Sequence, residues 1–248
     1  MESLQRYVSP DLTHFVGRAL KNDELRFQML KRILSRGLLK ARPMARRATY
    51  AYVLEKRADL DLSSNHVYRG SVVCFCDIPP GDLLLHMGKY SRFGISFPKA
   101  FVAEQGALPV MYIPLKGRPS LLPSDDYPYR SVASQKVAFN QFSKWLNRVE
   151  AAIEPLSKNP GSRNVASDLK KVIGFLEINI LSHLKFFDHG LHDADPDNFY
   201  MEREWRVSQS VEFDLADVQR IIIPARFSRR LRKAFPAYDG ELVFAENA

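Results

Sequence analysis

Apolar and polar positions along the chain recur with two different periods, and the changes of period mark out the elements. Near the amino-terminal end, "LTHFVGRA" reads as a short strand carrying His14. In "NDELRFQMLKRILSRGLL", Leu25, Met29 and Ile33, with Leu30 and Leu34 beside them, recur at helical spacing. Asn22 or Asp23 can cap this helix by accepting from an early backbone N–H, and Gly37 can end it in the left-handed conformation. "ARPMARRATYAYVLEKRADL" predicts a second, basic helix or an ordered loop. "GSVVCFCDIP" is the clearest strand, a nearly continuous apolar run closed by Pro79 and Pro80. "GDLLLHMGKYS" predicts a helical turn or short helix, and "RFGISFPK" and "LPVMYIPL" each predict a strand.

From about Val132 to Gly190 the pattern turns helical. "ASQKVAFNQFSKWLNRVEAAIEPL" and "VASDLKKVIGFLEINILSHLKFF" are amphipathic, and "SKNPGSRN" between them has the composition of a loop. "HDADPDN" is an acidic turn. "EWRVSQSVEF", "VQRIIIP" and "ELVFAE" then predict strands, with "SRRLRKAFP" a short basic helix. Two groups of strands flanking a helical stretch predict an α+β fold, one domain over 1–248 with a helical insertion at 132–190.

Composition changes this picture little. The chain has 248 residues, 46% hydrophobic and 26% charged, enough for one large core. It has no apolar run of about 18 residues, so no membrane partner is expected, and its start lacks the apolar region of a secretory signal. Cys74 and Cys76 are too few for a disulfide framework and make a poor zinc site; buried thiols in a cytoplasmic protein are the expectation. Charge changes the picture more. The net charge is +8, and Arg18 to Arg57 holds twelve Lys or Arg against Asp23, Glu24 and Glu55. "RFSRRLRK", Arg226 to Lys233, forms a second basic cluster. Such a face is either solvated or attracts a nucleotide phosphate, a nucleic acid or an acidic protein.

No Walker loop, dinucleotide-binding glycine fingerprint, HExxH or nucleophile elbow is present. The candidates are polar residues at strand ends. His14 is either a hydrogen-bonded strand residue or a neutral donor to a ribose hydroxyl or carbonyl. Asp77 either caps a turn or serves a site. His86 and Tyr90, at i and i+4 in "HMGKY", share one face of a helix, in packing or in a cleft. In "EREWR", strand alternation puts Glu202, Glu204 and Arg206 on one face. Glu204 then either pairs with Arg206 or, in a cleft, stabilises positive charge in glycosyl chemistry. "HDADPDN" with His192 offers carboxylates to a metal, but a solvated turn is the expected reading, and no metal is assigned.

"LTHFVGRAL", "MLKRILSRGLL", "VCFCDIP", "HMGKYSRFGISFPK", "LPVMYIP" and "EREWR" together resemble the AbiGi-type abortive-infection family of bacterial phage-resistance proteins, over roughly Tyr7 to Val207. "CFCDIP" followed by "HMGKYSRFGISFPK" is the most specific part. The resemblance implies an anti-phage defence component or antitoxin with a toxin-antitoxin partner, and leaves open which of the two roles the chain plays. More distantly, a first-strand His, a helix and "GLL" are similar to the opening of ADP-ribosyltransferases. That likeness implies split antiparallel and mixed sheets, NAD as cofactor, His14 as ribose contact, Tyr90 as aromatic flank and Glu204, with Glu202 its rival, as the late carboxylate. His86, Asp77 and Arg46 complete the cofactor-binding candidates, Arg46 with Arg18 being available for the pyrophosphate. The competing expectation is a non-catalytic antitoxin or sensor that grips a protein or nucleic acid through its basic helices.

Overall fold

The computed structural model describes residues 9–41, 55–56, 60, 65, 68–69, 72–117, 120–123, 130–192, 195 and 197–245. In chain order the elements begin β1 (Asp11–Phe15), α1 (Asp23–Arg36), β2 (Leu38–Leu39), β3 (Glu55–Lys56), β4 (Tyr68–Arg69), β5 (Val73–Cys76), α2 (Leu84–Lys89) and β6 (Gly94–Pro98). They continue with α3 (Lys99–Glu104), β7 (Leu108–Pro109), β8 (Met111–Pro114), β9 (Ser120–Leu122), β10 (Arg130–Val132), α4 (Gln135–Lys158) and α5 (Arg163–Asn179). The last are β11 (Leu184–Phe187), β12 (Glu204–Val207), β13 (Val211–Glu212), β14 (Arg220–Ile223), α6 (Ser228–Ala234) and β15 (Glu241–Phe244). The fold is mixed α and β. It divides into two compact units, one of Met1–Pro43, Ser71–Pro109 and Met201–Ala248, the other of Met44–Gly70 and Val110–Tyr200.

The first unit is built on a seven-stranded sheet in the order β15-β14-β6-β1-β5-β12-β7. β14 and β15 run parallel and the other neighbours antiparallel. Alternation sorts its side chains. Leu12, Phe75, Ile95, Phe97, Val207, Ile221 and Ile223 join Phe27, Leu30 and Leu34 of α1, Val102 of α3 and Leu231 of α6 in the main core. Cys76 and Ile222 point the other way and pack with Leu83 and Met87 at α2. Burying one such large apolar side chain stabilises by about 1.5–3 kcal/mol.

Helix α1 follows its sequence signals closely. Asn22 is the cap, its side chain accepting from Leu25 N–H at 3.0 Å. Gly37 ends the helix at φ 57°, and its carbonyl accepts from Phe213 N–H at 2.9 Å. The buried stripe is Phe27, Leu30 and Leu34, while Leu25, expected inward, is exposed. Cys76 is buried but Cys74 is exposed, against the expectation of two buried thiols.

Several strands are shorter than their sequence runs. "LPVMYIPL" splits, because Pro109 has no N–H to carry the pairing with β12 onward; β8 instead pairs parallel with β11. "EWRVSQSVEF" also splits, and β13 leaves the sheet to pair with β2 just past Gly37. Helix α3 was not expected from the sequence; it follows Pro98, whose fixed φ suits a helix start. The basic segment 41–60 lies almost wholly outside the described residues; within it Glu55–Lys56 is a short strand.

In the second unit α4, capped by Ser134, packs on α5. Leu146, Ile153, Ala166 and Ile173 form its core with Ile113, Leu184 and Phe186. The second predicted helix ends sooner than expected: after Asn179 the chain makes a tight turn, and Leu184–Phe187 is strand. An apolar run of that length suits either element, and pairing with β8 decides it.

Candidate functional site

The carboxylates of "EREWR" are held by cations of the first unit. Glu204 opens β12 opposite Cys76, and Arg206 stands opposite Cys74. Two residues apart on one strand face, they meet as a bidentate pair: Arg206 Nε donates to Glu204 Oε1 at 2.8 Å and Nη2 to Oε2 at 3.2 Å. Both are largely buried, with side chains 9% and 16% exposed.

Glu202 precedes the strand. The intervening Arg203 adopts φ 43°, and its carbonyl accepts from Asp77 N–H at 3.1 Å. This left-handed residue breaks the alternation expected between Glu202 and Glu204. Helix α2 and its end then close over Glu202. Lys89 Nζ donates to Glu202 Oε1 at 2.7 Å, and the Tyr90 hydroxyl donates to the same oxygen. One turn earlier, His86 Nε2 lies 3.1 Å from the Met201 carbonyl. The Tyr90 ring stacks on Phe15 at 5.7 Å, and the Arg18 guanidinium lies 4.8 Å from the ring centroid.

The electrostatics follow from burial beside negative charge. Burial, then the Glu202 charge and its hydrogen bond, hold the Tyr90 phenol well above its ordinary range; the Glu204 charge adds to this. Burial, then the charges of Glu202 and Asp77, push the Cys76 thiol up. Burial lowers His86, against the opposing pull of the Met201 carbonyl and Glu202. At neutral pH the cluster holds a protonated tyrosine and thiol and a neutral imidazole around a paired carboxylate.

Asp77 does something different. It accepts from Ser9 N–H at 3.1 Å and from Lys99 Nζ at 2.8 Å, with Arg203 Nη2 at 3.7 Å, and so fastens the end of β5 to its neighbours. His14 is set apart by register. Thr13, Cys76 and Glu204 stand in line across β1, β5 and β12 and share one face; His14, next to Thr13, takes the other. There its ring meets Phe75 edge-on at 5.8 Å, and its Nδ1 lies 2.8 Å from the Cys74 carbonyl. Burial lowers its pKa, partly offset by that carbonyl.

The structure thus brings Glu202, Tyr90 and His86 together, with Glu204 within electrostatic reach. Of the residues carried over for NAD, His14, which the likeness to ADP-ribosyltransferases sets around the cofactor with Tyr90 and Glu204, stands behind the sheet from them: period-two alternation puts it on the other face from Glu204. Arg46 lies outside the described residues. Lys89 and Lys99 were missed; Lys89 stands inside "HMGKY", three residues after His86, but its partner is distant in sequence. Among the described residues no group of three or more His, Cys, Asp or Glu is placed to hold a metal ion. In the second unit, the described part of "HDADPDN" is a turn: Asp195 N–H donates to the His192 carbonyl at 2.9 Å and Asp197 N–H to Asp195 Oδ1 at 2.8 Å. No described helix is long and apolar enough to cross a membrane.

Comparison with known proteins gives one match. The family model described as "Putative abortive phage resistance protein AbiGi, antitoxin" matches residues 47–234. Searches of curated proteins and of solved structures found no match, so the ADP-ribosyltransferase likeness has only its sequence motifs behind it. The matched span takes in β5, α2 with the Glu202 network, the α4 and α5 pair, β12 and α6, about three quarters of the chain: the chain belongs to the AbiGi family of abortive phage resistance proteins, described as antitoxins.

Proposed function

We propose that the chain is the antitoxin of an abortive-infection pair and acts by holding a partner, not by turning over a substrate. The observation that carries this reading is the engagement of both carboxylates. A glutamate that stabilises a ribosyl cation works through its negative charge, aimed at the reacting carbon. Arg206 neutralises that charge at Glu204 with two hydrogen bonds; Lys89 neutralises it at Glu202, where the Tyr90 hydroxyl donates to the same oxygen. The Glu202 bonds tie the turn before β12 to the end of α2, and the Glu204–Arg206 pair lies within β12 itself. The partner is a toxin, and the basic surface of the first unit is its contact, or that of another anionic molecule.

The second reading, an NAD-dependent ADP-ribosyltransferase, draws on the Glu204 charge that acts on Tyr90. Expression of the chain alone in a bacterial host separates the two. The antitoxin reading expects normal growth, no nicotinamide released from NAD by the purified chain, and rescue of growth when the paired toxin is co-expressed. Growth arrest with loss of cellular NAD, and nicotinamide release by the pure protein, would refute it.

A further inference from the structure

The main-core side of the first unit carries a row of cations fixed by shared partners. Asp23, buried at the start of α1, accepts from Arg26 Nη1 at 3.0 Å, from Arg92 Nη2 at 2.7 Å and from Arg226. The last two share one oxygen, Oδ2. Arg26 also spends Nε and Nη2 on the Gly17 and Leu20 carbonyls. Arg230 grips Glu24 through two bonds of 2.7 Å. Beneath them Phe27 and Phe227 stack at 4.8 Å. Arg226 and Arg230 lie over Phe227 at 5.2 and 5.3 Å, and Arg230 and Lys31 over Phe27 at 4.8 and 5.9 Å. Shared partners therefore order the row Arg92, just before β6, Arg226, in the turn before α6, Arg230 of α6 and Lys31 of α1. With Arg26 it sets five cations against two carboxylates, and the Arg226 and Arg230 side chains are 63% and 49% exposed.

We propose that this row binds the phosphate backbone of duplex nucleic acid without reading its sequence. The proposal deepens the reading that the basic surface takes an anionic partner. Three arginines on one carboxylate supply more N–H donors than its two oxygens accept, and a phosphate suits the surplus in the bidentate geometry of guanidinium. Asp23 to Lys31 is about 12 Å along a helix at about 1.5 Å per residue. Duplex phosphates follow at about 3.4 Å of axis per strand, so the row spans about three of them. A fixed row of charge matches a backbone of fixed pitch, which an acidic peptide lacks. Among the described residues the aromatic rings of this face, Phe27 and Phe227, lie buried beneath the cations and offer no platform for unpaired bases, which favours duplex over single strand.

The test is fluorescence anisotropy of a labelled 20-base-pair DNA duplex of arbitrary sequence with the full chain. Three phosphate contacts predict about 40-fold weaker binding on going from 50 to 200 mM NaCl. Arg226→Gln with Arg230→Gln should reduce that change to about 3-fold, and Lys31→Gln alone to about 12-fold. Lys170→Gln with Lys171→Gln, on α5 of the other unit, should leave it unchanged. No binding at 50 mM, a wild-type salt slope in the Arg226 and Arg230 double variant, or displacement by polyglutamate at lower concentration than by unlabelled duplex would overturn the proposal, the last in favour of an acidic protein. These outcomes are separate from the growth and nicotinamide assays: toxicity of the chain would end the antitoxin reading and leave the salt slope standing.

Discussion

Replacing Glu204 by Gln tests whether the carboxylate belongs to the fold or to a reaction. The substitution keeps shape and one carbonyl acceptor but removes the charge that balances Arg206. Breaking a buried pair costs about 3–5 kcal/mol, because the remaining charge is stranded. The pair here is 9% and 16% exposed, and Gln can still accept one bond, so the low end applies, about 3 kcal/mol. Trp205, between the two residues, is the natural probe, and Trp145→Phe removes the other tryptophan's signal. Urea unfolding followed by fluorescence should show the midpoint fall by the equivalent of about 3 kcal/mol with the slope unchanged. Glu204→Leu with Arg206→Met, which removes both charges, should return to within about 1 kcal/mol of the parent. A loss below about 1 kcal/mol in Glu204→Gln would refute the reasoning: the pair would then behave as a solvated one, and the carboxylate would be free to serve a ligand.

Gly37→Ala should destabilise the first unit by about 3 kcal/mol, since φ is 57° and an added Cβ would lie 2.3 Å from the Phe213 carbonyl oxygen; thermal melting checks it, and a loss under about 1 kcal/mol would show that α1 and β13 can part freely. Stability should also fall on mild acidification. Burial depresses His14 and His86, so below about pH 6.5 the unfolded chain takes up protons that the folded chain resists. The stability is fully present above that pH and is lost as pH drops toward the folded values; urea midpoints at pH 7.5 and 5 measure it, and His86→Gln should narrow the difference between them.

Local chemistry was legible in the sequence and distant pairing was not. Asn22 and Gly37 announce the ends of α1 because a cap is decided within four residues. The pairing of Glu204 with Arg206 follows from strand alternation, and so does their shared face. Glu202 could not be assigned to Lys89 and Tyr90, because more than a hundred residues separate them and no local pattern encodes that contact. The side taken by His14 depends on which residue of β5 faces Thr13, and register is a property of the assembled sheet. The same limit explains Leu184–Phe187, whose apolar run becomes strand only because β8 lies alongside.

The interleaving of the first unit's three chain segments has a consequence during synthesis. β5 stands beside β1 early in the chain, but its other neighbour, β12, leaves the ribosome only after the whole second unit has been made. Until then the nascent protein carries a bare, apolar strand edge, the kind of surface that recruits other chains. Ribosomes halted before codon 204 should therefore release products that aggregate, and the yield of native protein should depend on how quickly translation crosses the helical stretch.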